Sequence, residues 1–261
     1  MADFLERILA VKRREVAGLR GRLAGLKAAC RDAPPPRGFA RSVRRPEGGP
    51  IRVIAEVKHR SPSAGVLREP FVPADIARRY EEGGADAISC LTDREFFGGS
   101  LDHLRQVRRA VALPVLRKDF LVEAAQVYEA RAAGADAVLL IAEALDAAAM
   151  GDLAALAAEL GMDVLAEAHG EAAIERAIAC GAPLVGVNNR DLATFHVDLA
   201  TTERLAPRVR AAGRVLVAES GIRAPADVRR VLAAGTDAIL VGEGLLRADD
   251  LGRRLAELKK A

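Results

Sequence analysis

Several features that define common function classes are scarce in this 261-residue sequence. It has no tryptophan, and aromatic residues make up only 3% of it, which argues against a surface that stacks nucleic-acid bases. The 39 basic and 36 acidic residues nearly cancel, leaving a formal net charge of +3. There is also no basic tract with interleaved aromatic residues. Nucleic acid is therefore not expected as a partner.

Metal-binding and disulfide patterns are also missing. The three cysteines are far apart, so they suggest neither a disulfide framework nor a metal cluster: Cys30, Cys90 and Cys180. The four histidines have no metal-ligand spacing: His59, His103, His169 and His196. We therefore predict that the protein uses no metal and no other cofactor.

Long apolar segments are absent as well. No apolar run approaches the ~18 residues that a membrane-spanning helix needs. The N-terminus is charged and amphipathic, unlike the apolar core of a secretion signal. Together with the unpaired cysteines, this predicts a soluble, cytoplasmic protein with no membrane partner.

What the sequence does contain is an internal repeat. The tetrapeptide Gly84-Ala-Asp-Ala87 recurs as Gly134-Ala-Asp-Ala137 and, in altered form, as Gly181-Ala-Pro-Leu184 and Gly235-Thr-Asp-Ala238. Each copy follows an alanine-rich amphipathic segment and precedes a run of β-branched and aliphatic residues. Glycine ends a helix well, and the apolar run is typical of a buried parallel strand. The repeat therefore indicates alternating helices and strands.

The spacing of the copies indicates how many strands there are. Copies lie roughly fifty residues apart, which is room for two strand-plus-helix units. A further apolar segment lies midway in each interval: Ile51–Lys58, Pro114–Lys118, Asp163–Glu167 and Arg214–Glu219. Eight strands alternating with eight helices predict an α/β fold, a (β/α)8 TIM barrel over residues 51–261. A doubly wound sheet is the alternative, but no Gly-x-Gly-x-x-Gly follows the first strand.

Residues 1–50 precede the barrel and form a helical extension of the same domain. Its first apolar residues recur at helical spacing: Phe4, Leu5, Ile8, Leu9, Val16 and Leu19. Charged residues lie between them. We expect an amphipathic helix that packs on the barrel, with a membrane-surface or partner helix as the alternative.

Charged side chains stand where the predicted strands end. The carboxyl ends of barrel strands form the active site in this fold. Odd strands end in Glu56 with Lys58, in Lys118, in Glu167 and in Glu219, and an even strand ends in Asn188. Lysines and glutamates that converge on one site perturb one another, which suits acid/base catalysis. A purely structural plug of salt bridges is the alternative.

Two glycine-containing turns predict a phosphate site. Ser220-Gly221 and Gly242-Glu243 follow the seventh and eighth strands, where this fold usually binds phosphate through backbone N–H groups. Ser61, in the loop after the first strand, is placed to close over it. Phe97, Phe120 and Leu139 are candidates for an apolar wall. The residues alone thus predict a barrel enzyme for a phosphorylated, partly aromatic or apolar substrate.

Five segments together resemble a known family. They are Ile54-Ala-Glu-Val-Lys-His-Arg-Ser-Pro-Ser63, Leu113-Pro-Val-Leu-Arg-Lys-Asp-Phe120, Gly186-Val-Asn-Asn-Arg-Asp-Leu192, Glu219-Ser-Gly-Ile222 and Val241-Gly-Glu243. They resemble the signatures of indole-3-glycerol-phosphate synthase, a carboxy-lyase of tryptophan biosynthesis. The resemblance implies conversion of 1-(2-carboxyphenylamino)-1-deoxyribulose 5-phosphate to indole-3-glycerol phosphate, CO₂ and water.

The same resemblance implies roles for individual residues. Lys118 matches the general acid that protonates the substrate carbonyl, and Glu167 matches its partner in proton transfer during dehydration. Lys58 matches a lysine near the substrate carboxylate and phosphate. The other matches are orienting residues (Glu56, Asn188 and, beside them, Glu219), substrate and phosphate contacts (Ser61, Ser220, Gly221, Gly242 and Glu243) and the ring pocket (Phe97, Phe120 and Leu139).

Other functions remain compatible with these residues. Lys118 or Lys58 could act as the nucleophile of a Schiff-base aldolase on a sugar phosphate. An isomerase of the same pathway is a weaker match, because it lacks the N-terminal helix. A third alternative is a non-catalytic barrel that binds a ligand or assembles with another protein. We expect a monomer, with a weak homodimer as the alternative.

Overall fold

Eight parallel strands close into a barrel in the computed structural model, which describes residues 4–191 and 194–261. Leu192, at the end of one motif quoted above, lies outside the described residues. The barrel strands are β1 (Arg52–Val57), β4 (Ala87–Leu91), β5 (Val115–Lys118), β6 (Ala137–Ile141), β7 (Asp163–Ala168), β8 (Leu184–Asn188), β9 (Val215–Glu219) and β10 (Ala238–Val241). Each strand pairs with the next along the chain, and β10 pairs with β1. The predicted TIM barrel is confirmed.

Helices surround this barrel and precede it. The extension contains α1 (Phe4–Arg20), α2 (Leu23–Asp32) and α3 (Phe39–Val43). The helices that follow the barrel strands are α4 (Pro73–Glu82), α5 (Leu101–Ala110), α6 (Ala124–Ala132), α7 (Ala147–Glu159), α8 (Glu171–Ala179), α9 (Ala200–Ala211), α10 (Pro225–Ala233), α11 (Glu243–Leu246) and α12 (Leu251–Lys259). A small hairpin that the sequence did not predict, β2 (Arg60–Ser61) and β3 (Gly65–Val66), follows β1.

The repeated tetrapeptide has a physical explanation in this fold. Its glycine has a positive φ of 82° to 91° in all four copies, a conformation that other residues adopt only at a cost: Gly84, Gly134, Gly181 and Gly235. In three copies the aspartate accepts a hydrogen bond from a backbone N–H of the neighbouring odd strand. These pairs are Asp86 with Val53, Asp136 with Val115 and Asp237 with Leu216. The motif thus ends a helix and joins two strands.

Alternation along β5 gives each side chain its environment. Leu116 belongs to the apolar cluster inside the barrel, and Lys118, two residues later, lines the cavity above it. Arg117 points the other way, toward the helices, and forms ion pairs with Asp119 at 3.1 Å and Glu129 of α6 at 3.0 Å. The strand period of two therefore separates the cavity-facing lysine from a structural arginine.

The extension contacts both ends of the barrel. At the amino-terminal end, Phe39 and Val43 of α3 are fully buried in the interior cluster, and the Ala40 N–H donates to Asp163 at the start of β7 (2.8 Å). At the opposite end, Leu5, Ile8 and Leu9 of α1 are buried in the same interior cluster, and Lys12 pairs with Asp93 and Asp119, which follow β4 and β5. The prediction that this helix packs on the barrel is confirmed. No helix in the described ranges is long and apolar enough to span a membrane.

Candidate active site

A cavity of about 530 Å³ opens at the carboxyl ends of the strands. All fourteen residues that the sequence singled out line it: Glu56, Lys58, Ser61, Phe97, Lys118, Phe120, Leu139, Glu167, Asn188, Glu219, Ser220, Gly221, Gly242 and Glu243. They come from all eight barrel strands or the loops that follow them. The barrel therefore brings together residues that are up to 187 positions apart in the sequence, from Glu56 to Glu243.

Lys118 lies between two carboxylates. Its Nζ is 2.5 Å from Glu167 Oε2 and 2.6 Å from Glu219 Oε2. Glu167 is the second-last residue of β7, and Glu219 is the last residue of β9. Side chains from three strands therefore contact one another at the Lys118 ammonium. Both glutamates are almost completely buried. Such charge-assisted contacts hold the lysine in one orientation.

Burial and charge give the three groups different affinities for protons. Burial opposes the charge on Lys118, but the carboxylates of Glu167 and Glu219 outweigh it and raise the pKa of the ammonium. Burial also acts on Glu167, yet the charge of Lys118 prevails and lowers the pKa of that carboxyl. For Glu219, burial is the largest effect, and with the charge of Glu167 it raises the pKa to about 8 despite Lys118.

The result is a centre that stores protons at neutral pH. The raised pKa of Lys118 and the lowered pKa of Glu167 favour their charged forms, whereas the raised pKa of Glu219 favours a proton on its carboxyl. A pair of carboxyl groups whose environments separate their pKa values is typical of acid/base catalysis. This arrangement can deliver a proton and take one back without a metal.

Asn188 links this centre to the loops above it. Its Nδ2 donates to Glu167 Oε1 at 2.9 Å, while its Oδ1 accepts from Ser220 Oγ at 2.9 Å and from the Arg190 N–H at 3.0 Å. His169 Nδ1 lies 2.7 Å from the Asn188 carbonyl oxygen. No site role was predicted for this histidine, because the four histidines lack metal-ligand spacing. Its position two residues after Glu167, directly after the end of β7, was the available signal.

Lys58 and Glu56 form a second ion pair at the edge of the cavity. Glu56 is buried and Lys58 is partly exposed. Two glycines make room for the buried carboxylates, because a Cβ at Gly242 would overlap Glu56 Oε1 and a Cβ at Gly186 would overlap Glu219 Oε1. The sequence assigned Gly242 only a phosphate-binding turn and gave Gly186 no site role. That each glycine lies against a buried carboxylate becomes visible only once the barrel is closed.

The two ends of the cavity differ in character. Phe97 and Phe120 stack with ring centroids 6.2 Å apart, and Leu139 lies with them on the apolar side. On the other side, the chain turns sharply at Ser220 and Gly221, with φ values of 63° and 82°, after β9. The second small-residue turn, Gly242 and Glu243, opens α11. One end thus suits an aromatic ring and the other an anion.

Some lining residues were not predicted as site residues. Phe4, Leu5 and Ile8 of α1 line the apolar side, so the extension supplies part of the cavity wall. Four arginines line it as well: Arg190, Arg223, Arg247 and Arg254. Arg247 donates to Glu243 Oε1 at 3.1 Å and to the Ala64 carbonyl oxygen at 3.3 Å, which connects the hairpin loop to α11. Their location depends on loop and helix packing that periodicity does not reveal.

Within the described part of the chain, no group of three or more histidine, cysteine, aspartate or glutamate side chains is arranged to hold a metal ion. The polar groups of the cavity instead pair with one another as lysine–glutamate and asparagine–glutamate contacts. The fold and the site define the chain as a (β/α)8 barrel whose cavity holds a lysine between two glutamates, an arrangement suited to acid/base chemistry.

Comparison with known proteins identifies the family. The family model for indole-3-glycerol phosphate synthase matches residues 5–258. Proteins named indole-3-glycerol phosphate synthase from Aromatoleum aromaticum and a Polaromonas species (strain JS666) are each 52% identical to this chain over 261 residues. The alignments cover 99% of this chain and 99% and 98% of those relatives. The chain belongs to the indole-3-glycerol phosphate synthase family, so it is a decarboxylating lyase of tryptophan biosynthesis.

Among solved structures, the chain is similar to thiamine phosphate pyrophosphorylase from Pyrococcus furiosus. The TM-score is 0.61 at 22% sequence identity, and the match covers 80% of this chain and 94% of the other. At this identity the likeness concerns the barrel fold alone.

Proposed function

We propose that Lys118 is the general acid that closes the indole ring of 1-(2-carboxyphenylamino)-1-deoxyribulose 5-phosphate in this cavity. The observation that carries the proposal is the ammonium held at 2.5 and 2.6 Å between Glu167 and Glu219, with an apolar wall to one side. The ring carbon that bears the carboxylate attacks the C2 carbonyl, and Lys118 protonates the carbonyl oxygen as the new C–C bond forms. Loss of CO₂ then returns the bonding electrons to the ring.

Glu167 serves the second half of the reaction. Dehydration removes the new hydroxyl as water and needs a proton for the leaving oxygen, while a proton is lost as the indole forms. Glu167 contacts Lys118 directly and is ionised, which supports its part in moving protons between these steps. Lys58, paired with Glu56, is the alternative acid for dehydration. It also contacts the carboxylate and phosphate region of the substrate.

The remaining polar residues orient the substrate. Glu56 and Asn188 align the sugar hydroxyls and the anilino nitrogen, and Glu219 lies beside them. This is supported by the contacts of Asn188 with Glu167 and of Lys118 with Glu219, which fix these groups along one side of the cavity. A group held in place before the substrate arrives does not need to reorganise during the reaction.

The two ends of the substrate bind at opposite ends of the cavity. Phe97, Phe120 and Leu139 enclose the benzoate ring, and the apolar contact favours loss of a carboxylate as neutral CO₂. Ser61, Ser220 and the backbone of Gly221, Gly242 and Glu243 contact the phosphate and its neighbouring hydroxyls. The turns after β9 and β10 support this assignment, because that position usually binds phosphate in this fold.

The proposal extends to how the protein works as a whole. It acts without a metal or other cofactor, because proton transfer by lysine and glutamate suffices for every step. It works as a monomer in the cytoplasm, where a small phosphorylated substrate is its only required partner.

Turnover of the substrate tests this proposal. The purified protein, with EDTA present, is mixed with 1-(2-carboxyphenylamino)-1-deoxyribulose 5-phosphate while indole absorbance and CO₂ release are followed. We expect equal amounts of indole-3-glycerol phosphate and CO₂ and no effect of EDTA. A folded protein that forms no indole would contradict the proposal. Trapping of a covalent adduct by borohydride would then point to Schiff-base chemistry at Lys118 or Lys58.

A further inference from the structure

One lysine outside the proposed acid/base centre is buried as completely as a core leucine. Lys12 lies in the middle of α1, and its side chain is 1% exposed. Lysine is almost never buried to this degree unless it is paired. Its place on the inner face of the helix, in line with Leu5, Ile8 and Val16, indicates a specific function for the ammonium.

Three carboxylates surround the Lys12 ammonium. Its Nζ is 2.8 Å from Asp93 Oδ2, 2.9 Å from Asp119 Oδ1 and 2.9 Å from Glu15 Oε2. Asp93 and Asp119 are themselves buried, and they follow β4 and β5. Burial opposes the charge of Lys12, but Asp119 and Asp93 raise its pKa overall, so the ammonium stays charged. One side chain therefore ties the extension to two neighbouring barrel strands.

The same two aspartates bind the backbone of the phenylalanines on the apolar side of the cavity. Asp93 Oδ1 accepts hydrogen bonds from the Phe96 N–H at 2.8 Å and the Phe97 N–H at 3.1 Å. Asp119 Oδ1 accepts one from the Phe120 N–H at 2.9 Å. The rings of Phe97 and Phe120 are the stacked pair on the apolar side of the cavity. A single carboxylate thus links each of these residues to Lys12: Asp93 links Phe97, and Asp119 links Phe120.

Lys12 also fixes the helix face that completes this wall. Ile8 and Leu5 lie one and two helical turns before it and line the cavity. The Phe4 ring packs edge-on against Phe96, with centroids 5.5 Å apart. If the ammonium lost its carboxylates, the helix and the two loops would no longer share an anchor.

We propose that Lys12 is a positioning residue for the aromatic ring of the substrate. Its ammonium holds Asp93, Asp119 and α1 in one arrangement and thereby sets the distance between the walls of the ring pocket. This inference rests on the proposed function, because it assumes that the pocket of Phe97 and Phe120 receives the benzoate ring.

The residues that position the ring pocket are distinct from the proposed general acid and from the proposed phosphate site. Lys118 precedes Asp119, but its side chain points to the other face of β5, and its carbonyl oxygen accepts a ladder hydrogen bond from the Thr92 N–H (3.1 Å). The glycine turns proposed to bind phosphate follow β9 and β10; β9 lies opposite β5 in the barrel, and β1 separates β10 from β4. Disturbing Lys12 should therefore weaken ring binding more than phosphate binding or the acid step.

The test replaces Lys12 by methionine, which has a similar shape and no charge. Ring binding is measured with 2-aminobenzoate, whose fluorescence is read directly because the protein has no tryptophan, and phosphate binding with inorganic phosphate by calorimetry. In Lys12→Met we expect KM for the substrate and Kd for 2-aminobenzoate to rise about tenfold. The Kd for phosphate and kcat should change less than about threefold. Arg13→Met, which removes a charge from the exposed face of the same helix, is the matched control.

A milder variant keeps the test decisive if Lys12→Met does not fold. Asp93→Asn retains the oxygen that accepts from Phe96 and Phe97 but removes one charge from Lys12. We expect the same pattern, with a rise of about threefold in the Kd for 2-aminobenzoate. A folded variant with unchanged ring binding, or with ring and phosphate binding weakened equally, would overturn the inference. Failure of the proposed function would differ, since the wild type would then form no indole whatever its ligand affinities.

Discussion

Replacing Lys118 by methionine is expected to lower kcat by ~10²–10⁴-fold, the usual contribution of a positioned general acid. Methionine fills a similar volume but cannot protonate the carbonyl oxygen, and it removes the cation that Glu167 and Glu219 contact. The rate of indole formation at saturating substrate measures the effect. Circular dichroism confirms that the variant is folded.

Lys27→Met is the control for this change. Lys27 lies over the Tyr128 ring, at 5.0 Å from its centroid, on the exposed side of α2. The same substitution there removes a lysine without touching the cavity, so kcat should stay at the wild-type value. A Lys118→Met variant that retains kcat within about threefold would mean that another group, such as Lys58, protonates the carbonyl.

Glu167→Gln is expected to lower the rate of indole formation by ~10²-fold or more. The amide keeps the shape of the side chain and one oxygen for Asn188 Nδ2, but it cannot exchange a proton with Lys118. Because Glu167 is proposed to act in dehydration, indole formation should slow more than CO₂ release does. Parallel traces of CO₂ and indole absorbance in a single turnover measure this difference.

The control for this variant is Glu203→Gln on the outer surface. Glu203 of α9 forms an ion pair with Arg230 of α10 at 2.5 Å, and both side chains are exposed. Exposed pairs contribute little to stability, so the change should leave activity intact. If CO₂ release and indole formation fall together in Glu167→Gln, the glutamate acts by orienting Lys118 rather than by transferring a proton in dehydration.

The barrel and the polar ends of its strands could be predicted from the sequence because both follow from local periodicity. The repeated glycine and aspartate marked each helix-to-strand junction, and their positive φ values and strand contacts explain the repeat. Strand alternation placed Lys118 on the same face as Leu116 and Glu56 on the same face as Ile54. Once eight strands close a barrel, residues at their carboxyl ends must converge.

Features that depend on how elements pack were not predictable in this way. The amphipathic pattern of α1 revealed an apolar face but not that this face closes the cavity. Lys12 falls on that face, at helical spacing from Ile8 and Val16, so one charged position in an apolar stripe was the signal available. A single sequence does not reveal that Asp93 and Asp119 lie opposite it.

The pKa values of the two glutamates could not be predicted from the sequence either. The sequence placed Glu167 and Glu219 in one cluster but gave no reason for their pKa values to differ. Both carboxyls are buried and contact Lys118, but Asn188 donates a hydrogen bond to Glu167 and lowers its pKa, while the charge of Glu167 raises the pKa of Glu219. Gly186 likewise has no distinguishing pattern in the chain, since its role depends on the Glu219 carboxyl that lies against it in the closed barrel.

The proposed reaction depends above all on a hydrogen bond from the Lys118 ammonium to the oxygen of the substrate carbonyl. A crystal structure with a substrate analogue whose C2 carbonyl is reduced to a hydroxyl tests it directly. We expect Lys118 Nζ at hydrogen-bond distance, roughly 2.6–3.2 Å, from the C2 oxygen, with the ring between Phe97 and Phe120. Lys58 at the C2 oxygen, with Lys118 remote from the reacting atoms, would contradict the account.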